Sequence, residues 1–273
     1  MSQGPTTFHV ADAEAMSWEP HVMAGSIRKV LDLDPARDSY VHLRYVPPGG
    51  APQGRRLHVS INETFYFLGG DLPSWEFDSA TDIAGHVVSF ETGTFMDRAP
   101  FSIHGRRPEP PSLTGSTLLI WSSGGAEFEA DPVESIQIPF TGEAPTFDSP
   151  YTKPTVIDSR TLAWQNHPTR DGWQWRPLST IDGGPTMTER PVSLIHVPPN
   201  WETSKQATLT PKDRRAWIFV LSGDLEAEID GQQVHLGQNA YLRWNAGTAP
   251  TIPTRASPVG CTLLCVGHDL AAS

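Results

Sequence analysis

Cysteine is almost absent from this chain of 273 residues, which contains Cys261 and Cys265 and no others. In an extended segment, four residues at about 3.3 Å each hold the two Cα atoms about 13 Å apart. A disulfide needs less than about 7 Å, so we predict two free thiols. The polar, acidic start of the chain also lacks the basic and apolar regions of a secretory signal. Both features predict a cytoplasmic protein.

Long apolar runs and excess positive charge are missing as well. The longest uninterrupted apolar run is Ala216–Leu221, six residues, whereas a membrane-spanning helix needs about 20. The 20 lysines and arginines are outnumbered by 31 aspartates and glutamates, which leaves a net charge of −11. Because nucleic-acid binding requires a basic surface, we predict neither a nucleic-acid nor a membrane partner.

Helical periodicity is scarce, and only Ala11–Trp18 is typical of a short helical turn. Runs typical of strands are frequent and are separated by Pro-Pro, Gly-Gly and Asp-Gly pairs. The 23 glycines and 26 prolines supply many turns, so the sequence predicts an all-β barrel or sandwich. The predicted strands are Tyr40–Val46, Arg56–Ile61, Thr64–Leu68, His86–Phe90, Ser116–Trp121, Ser135–Phe140, Val192–Val197, Ala216–Leu221, Leu225–Ile229, Tyr241–Trp244 and Cys261–Val266.

The two halves of the chain resemble each other. Val46-Pro47-Pro48 matches Val197-Pro198-Pro199, the run from Phe65 to Leu72 matches Ile218 to Leu225, and Leu118–Ile120 matches Leu263–Cys265. A repeat of about 150 residues is too long for a solenoid and indicates two copies of one β domain. We place the copies at residues 1–145 and 154–273, with the Pro-containing segment Thr141–Lys153 as a linker between them.

The segment from Gly50 to Gly70 carries polar residues at a regular spacing. Arg56 and His58 alternate with apolar residues, so a strand would place both on one face. A turn around Asn62 would start the next strand at Glu63, beside His58. An imidazole and a carboxylate could therefore converge.

A second segment, Gly93 to His104, supplies another imidazole, and the combined spacing resembles the cupin superfamily. Arg56 stands where the first cupin motif has its first histidine. Ala99 and Phe101 stand where the second motif has proline and glycine. The run from Asp97 to Gly105 looks most like the cupin domains of anti-sigma factors and their dioxygenase relatives. The resemblance covers most of residues 40–125 and implies a double-stranded β-helix (jelly-roll) barrel, hence a bicupin.

Carried over to this sequence, the resemblance implies metal ligands at His58, Glu63 and His104. Two histidines and one carboxylate form the set that non-haem Fe(II) oxygenases use, because it leaves positions open for substrate and O₂. Zinc or manganese would accept similar ligands, and the ligand set does not choose among them. Arg56 would act as the catalytic and substrate-binding residue by pairing with an anionic or enolic substrate, with Phe65 and Phe101 as apolar walls.

Two alternatives for this half stay open. Arg56 could simply pair with Glu63, which would leave a metal-free barrel. His42 or His86, each in a strand-like segment of the same half, could instead replace the missing ligand.

The second half lacks the ligand pattern. Aligning Gly223 with Gly70 puts Ala216 where Glu63 stands, and Thr248 or Pro250 falls near the position of His104. We therefore predict a degenerate, metal-free C-terminal cupin.

The predicted function is that of a metal-dependent bicupin enzyme on a small organic substrate, most concretely a mononuclear Fe(II) dioxygenase. The alternatives are a zinc- or manganese-dependent isomerase or lyase and a non-catalytic small-molecule-binding protein. Exposed sheet edges often pair, so a homodimer is the default expectation.

Overall fold

The computed structural model describes residues 8–21, 25–34, 39–49, 54–58, 62–79, 81–106, 110–123, 135–138, 152–168, 170–179, 191–201, 207–208, 216–229, 231–245, 250–252 and 257–267. Within them the regular structure is β-strand, apart from one turn of 3-10 helix at Ser159–Thr161. Every strand pairing in this part of the chain is antiparallel. The predicted all-β class is confirmed.

In chain order the strands are β1 (Phe8–Asp12), β2 (Glu19–Pro20), β3 (Ile27–Asp34), β4 (Ser39–Val46), β5 (Gly54–His58), β6 (Asn62–Phe77), β7 (His86–Glu91), β8 (Thr94–Arg98), β9 (Ile103–Arg106), β10 (Ser116–Ser123), β11 (Ser135–Ile138), β12 (Thr155–Asp158), β13 (Gln165–Asn166), β14 (Gln174–Pro177), β15 (Val192–Val197), β16 (Ala207–Thr208), β17 (Ala216–Gly223), β18 (Leu225–Ile229), β19 (Gln232–Leu236), β20 (Ala240–Trp244), β21 (Thr251–Ile252) and β22 (Cys261–Val266).

The chain forms two units that exchange short segments across the boundary expected from the sequence. Ser17–Arg160 forms the N-terminal unit, and Met1–Met16 joins Thr161–Gly184 and Glu189–Ser273 in the C-terminal unit. β1 accordingly pairs with β20 of the C-terminal unit, with Phe8 opposite Trp244. In the N-terminal unit, β12 pairs with β8. Each unit therefore contains one strand that the sequence assigns to the other domain: the N-terminal unit contains β12, and the C-terminal unit contains β1.

The N-terminal unit is organised around the long strand β6. The sheet runs β11-β5-β9-β6-β10-β4-β3-β2, and β7 and β8 also pair with β6. Alternate residues of the strands face one apolar core, as expected for period-two strands. Its buried members are Tyr40, Val46, Phe65, Phe67, Phe90, Met96, Leu118 and Ile120.

The C-terminal unit repeats the central pairings of the N-terminal unit. β22 lies between β15 and β17, just as β10 lies between β4 and β6. Both repeats have a register shift at the same place, next to Leu68 in β6 and Leu221 in β17. The structure therefore contains the internal repeat predicted from the sequence.

Equivalent glycines make the same close approach in both units. Gly70 and Gly223 have φ angles of 82° and 74°. A Cβ atom on either would lie 1.9 Å from a backbone carbonyl oxygen, that of Gly115 or Gly260 respectively. Only glycine fits both the left-handed backbone and the contact. This explains why the repeat keeps these two glycines.

Local predictions have mixed outcomes. The bounds of β15, β18 and β22 are those predicted, and Cys261 and Cys265 are buried and free, as predicted. The helical turn predicted over Ala11–Trp18 is wrong at its start, because Ala11 pairs within β1. Most of the predicted linker Thr141–Lys153 lies outside the described residues.

In the described part of the chain there is no helix long and apolar enough to cross a membrane.

Replacing Gly70 by alanine is expected to destabilise the protein by about 2 kcal/mol, because alanine is strained at a positive φ and its Cβ would clash with the Gly115 carbonyl. Gly69 is the matched control, since a Cβ there would meet nothing within 4 Å. Urea unfolding of Gly70→Ala, Gly69→Ala and wild type measures the difference. Equal midpoints for the two variants would contradict this explanation.

Candidate active site

Strand β6 brings two distant glutamates to one place. Glu63 and Glu76 lie 13 residues apart on this strand, and a straight strand would separate their Cα atoms by about 43 Å. β6 bends at Gly70, so its first part pairs with β8 and β10 and its last part with β7 and β9. Because of this bend, both buried carboxylates contact the same arginine.

That arginine is Arg98, the last residue of β8. It is the register partner of Glu63. Its Nη1 lies 3.3 Å from Glu63 Oε2, and its Nη2 donates a 2.5 Å hydrogen bond to Glu76 Oε1. Ser74 Oγ also donates to Glu76 Oε1, at 3.0 Å. The three charged side chains are almost completely buried. They form one ionic network in which Arg98 joins the two carboxylates.

His104 on β9 faces the same carboxylate. Its Nδ1 lies 3.2 Å from the carbonyl oxygen of Ser102. Because a carbonyl only accepts, we assign the proton of the neutral ring to Nδ1, which leaves a lone pair on Nε2. That Nε2 lies 3.7 Å from Glu63 Oε2. Two bonds of about 2.1 Å, as zinc makes to nitrogen and oxygen, would span this gap. The donor set and its spacing fit a divalent metal ion.

The structure thus brings together two of the three ligands implied by the sequence. The third, His58, ends β5, and Arg56 on the same strand is the register partner of His104. The side chains of Arg56 and His58 lie outside the described part of the structure. Among the side chains that are described, no group of three or more histidine, cysteine, aspartate or glutamate residues could hold a metal. His58 therefore remains the predicted third ligand.

The two apolar residues predicted for the pocket lie in different settings. Phe65 is buried in the core of the N-terminal unit, with its ring 5.5 Å from the Arg98 guanidinium carbon. Phe101 lies in the turn between β8 and β9, half-buried, with a φ of 63°. This left-handed conformation, uncommon for a bulky residue, explains why the cupin motif has glycine at the position of Phe101. Phe65 is thus next to the ionic network.

The histidines considered as replacement ligands also differ. His42 on β4 is completely buried. It stacks on Tyr40 at 5.1 Å between ring centroids, and its ring lies 5.5 Å from that of His21. His86 begins β7 and is exposed.

Sequence reasoning missed Arg98 and Glu76. It considered Arg56 as the ion-pair partner of Glu63, whereas the guanidinium that the structure places on Glu63 belongs to Arg98. The sequence of β8 carries no signal for this contact, because apolar and polar residues do not alternate from Thr94 to Arg98 and all five residues are buried.

The C-terminal unit replaces this network with apolar residues. Register equivalence places Ala216 at the position of Glu63 and Trp244 at that of Arg98, since these two residues also pair with each other. By the same comparison Ile229 replaces Glu76 and Ala227 replaces Ser74. Pro250 replaces His104, because Thr251 opposite Glu228 corresponds to Gly105 opposite Trp75. Among the residues that the structure describes, the ionic network is present in the N-terminal repeat only.

Burial raises the pKa of Glu76 above its ordinary value of 4.5, and the charge of Glu63 raises it further, although Arg98 opposes both effects. The folded state therefore keeps a proton that the unfolded state releases above about pH 4.5. In this range the free energy of unfolding falls as pH rises towards the raised pKa, because the unfolded state binds fewer protons.

Glu76→Gln is expected to remove this loss of stability at higher pH, because glutamine cannot ionise. Urea unfolding of wild type and variant, at pH 4.5 and near neutral pH, is the measurement. The stability of the variant relative to wild type should increase with pH. A difference that does not change with pH would show that Glu76 has no raised pKa.

Comparison with known proteins identifies the fold. No protein-family model matches the chain, and no curated protein matches it by sequence. Among solved structures, the protein Ylba from E. coli matches with a TM-score of 0.64 and 11% identity, covering 98% of this chain and 93% of Ylba. The putative glyoxylate induced protein from Pseudomonas aeruginosa matches with a TM-score of 0.61 and 10% identity, covering 99% and 91%.

A variant of the oxalate decarboxylase from Bacillus subtilis also matches, with a TM-score of 0.66 and 12% identity, covering 98% of this chain and 78% of the decarboxylase. The decarboxylase has Mn(II) centres. These proteins are built of cupin β-barrels. The chain shares their fold, so the predicted bicupin architecture is confirmed.

Proposed function

We propose that the N-terminal unit is a metal-dependent enzyme site for a small organic substrate. Glu63 and His104 would hold one divalent metal ion, with His58 as the third protein ligand. The observation that carries this proposal is the pair of buried acceptor atoms, Glu63 Oε2 and His104 Nε2, 3.7 Å apart. A cation between these two atoms would accept a lone pair from each and would compensate the buried negative charge of the carboxylate.

The reaction that we propose is a dioxygenation at Fe(II). A mononuclear metal on two histidines and one carboxylate keeps open positions at which substrate and O₂ can bind, and this supplies the redox chemistry. The residues around the metal site would have separate roles. The Nδ1–H of His104 donates a hydrogen bond to the Ser102 carbonyl oxygen, which fixes the orientation of the ring. Phe65 limits the access of water, and Arg56 orients an anionic or enolic substrate.

A manganese-dependent lyase reaction is the second candidate. It is favoured by the likeness to oxalate decarboxylase, a protein with Mn(II) centres. Manganese accepts carboxylate and imidazole ligands, so the same Glu63 and His104 would serve.

Elemental analysis of the full-length protein, purified without oxygen, separates these functions. One iron per chain, with O₂ uptake when substrate is added, is the result expected of the dioxygenase. One manganese or zinc per chain without O₂ uptake would contradict the dioxygenase and favour a lyase or isomerase. Absence of any bound metal would contradict both and leave a non-catalytic binding protein.

A further inference from the structure

Ser122 on β10 carries a buried hydroxyl group that the metal-free protein does not use. The residue is only 5% exposed, and its Oγ has no hydrogen-bond partner among the described residues. A buried hydroxyl without a partner is unfavourable, because it has lost its hydrogen bonds to water and gained none in return. The hydroxyl of Ser122 therefore calls for a partner in another state of the protein.

The register of the sheet places Ser122 directly beside Glu63. Ser122 is the register partner of Glu63 on β6, and Glu63 has Arg98 of β8 as its partner on the other side. Alternate residues of a strand share a face, so Ser122 faces the core together with Ile120. Directly opposite residues of an antiparallel pair have Cβ atoms about 4.5–5.5 Å apart. Glu63 is thus flanked by a guanidinium on one strand and by a hydroxyl on the other.

Metal binding at Glu63 would give this hydroxyl a partner. Glu63 Oε2 is the atom that faces His104 Nε2 across 3.7 Å, so this oxygen would bind the metal. The other carboxylate oxygen, Oε1, also has lone pairs that accept hydrogen bonds, and a serine hydroxyl can rotate to donate one. Carboxylate ligands of metal ions are commonly held by a neighbouring donor in this way.

The C-terminal repeat lacks both members of this pair. Ala216 occupies the position of Glu63, and the register of β17 with β22 puts Gly267 at the position of Ser122. Neither residue has a polar side chain. The hydroxyl and the carboxylate are therefore both present in the repeat with the candidate metal site and both replaced in the other, as expected if they act together.

We propose that Ser122 is a positioning residue of the metal site, whose hydroxyl donates a hydrogen bond to the Glu63 carboxylate when that carboxylate binds the metal ion. Ser122 itself does not touch the metal. Arg98 contacts Glu63 from β8 and Ser122 would contact it from β10, so the ligand is fixed between two strands. The inference rests on the proposed metal site and deepens it by adding a residue that controls metal affinity.

Metal affinity and stability, measured together on the full-length protein, test this role. Ser122→Ala removes the hydroxyl with little change in shape, and Ser122→Thr restores a hydroxyl. Ser116→Ala is the matched control, because Ser116 lies on the same face of β10, is buried and also has an unpaired Oγ, but lies opposite Gly70 instead of Glu63. Calorimetric titration with Mn(II) measures the affinity, and urea unfolding of the metal-free protein measures the stability.

Ser122→Ala should bind Mn(II) at least about tenfold more weakly than wild type, which is the usual effect of losing a donor to a metal ligand. The same variant without metal should be as stable as wild type or more stable, because it has lost an unpaired hydroxyl. Ser122→Thr should recover most of the affinity, and Ser116→Ala should bind Mn(II) as wild type does.

Two results would overturn the role of Ser122 and leave the metal site intact. One is a wild-type protein that binds Mn(II) no more tightly than Ser122→Ala, or an equal loss of affinity in Ser116→Ala. The other is a lower stability of metal-free Ser122→Ala, which would show that the hydroxyl has a structural role. A wild-type protein that binds no Mn(II) would instead contradict the proposed metal site, and with it this inference.

Discussion

Replacing Glu63 by glutamine is expected to weaken divalent-metal binding by more than about a hundredfold. Loss of a supporting group outside the coordination sphere costs roughly 10- to 100-fold, and Glu63 is the proposed carboxylate ligand itself. Glutamine keeps the shape of the side chain but loses the charge that draws the metal to a buried position. Titration with Mn(II) or Zn(II), followed by calorimetry, measures the change.

The C-terminal unit provides a matched control for this variant. Glu226 Oε1 lies 2.7 Å from His235 Nδ1, so it also forms a carboxylate–imidazole pair, but both side chains are exposed. Glu226→Gln should leave metal affinity and stoichiometry unchanged. If Glu63→Gln bound metal as tightly as Glu226→Gln, the Glu63 carboxylate would not be a ligand.

Replacing Arg98 by methionine is expected to destabilise the protein by about 3–5 kcal/mol at neutral pH, which is the usual cost of removing one partner of a buried ion pair. Glu63 is only 2% exposed and Glu76 only 1%. Without Arg98, these two buried carboxylates would lose the cation that they share. The free energy of unfolding from urea titration of the metal-free protein measures this cost.

A second substitution tests whether the cost comes from the uncompensated carboxylates. Adding Glu76→Leu to Arg98→Met removes one of them, so the double variant should be more stable than Arg98→Met alone. The C-terminal unit supports this expectation, because Trp244 and Ile229 occupy these positions and both are buried. If Arg98→Met alone cost less than about 1 kcal/mol, the network would not be the tightly coupled group described above.

Short strands that lie between turn residues could be predicted from the sequence. β15, β18 and β22 are five or six residues long, each is flanked by glycine, proline or aspartate, and their bounds are those expected. β6 is longer than the predicted Thr64–Leu68, since it continues through Gly69-Gly70 and Pro73 to Phe77. Glycine and proline usually end a strand. Here the positive φ of Gly70 bends the strand instead.

The partner of a strand could not be predicted from its own sequence. Nothing in Phe8–Asp12 shows that it pairs with Ala240–Trp244, more than 220 residues away. Local alternation defines a strand and its faces, whereas the choice of neighbour depends on the folded sheet. The same limit applies to the segments exchanged between the two units.

The residues of the candidate site that belong to a sequence motif could be predicted. Glu63 and His104 follow from the cupin spacing, and the structure places them 3.7 Å apart at their nearest atoms. Arg98 and Glu76 were missed because their contact depends on the bend of β6 and on the register that sets Arg98 opposite Glu63. These are properties of the folded sheet that residue spacing alone does not contain.

The most direct test of the metal site is an anomalous-scattering map from crystals of the full-length protein grown with Mn(II). One strong peak should lie within bonding distance of Glu63 Oε2 and His104 Nε2, with His58 as a further ligand, and the Ala216–Pro250 region of the C-terminal unit should show none. A map without a peak between Glu63 and His104, under conditions that saturate the protein with Mn(II), would contradict the account.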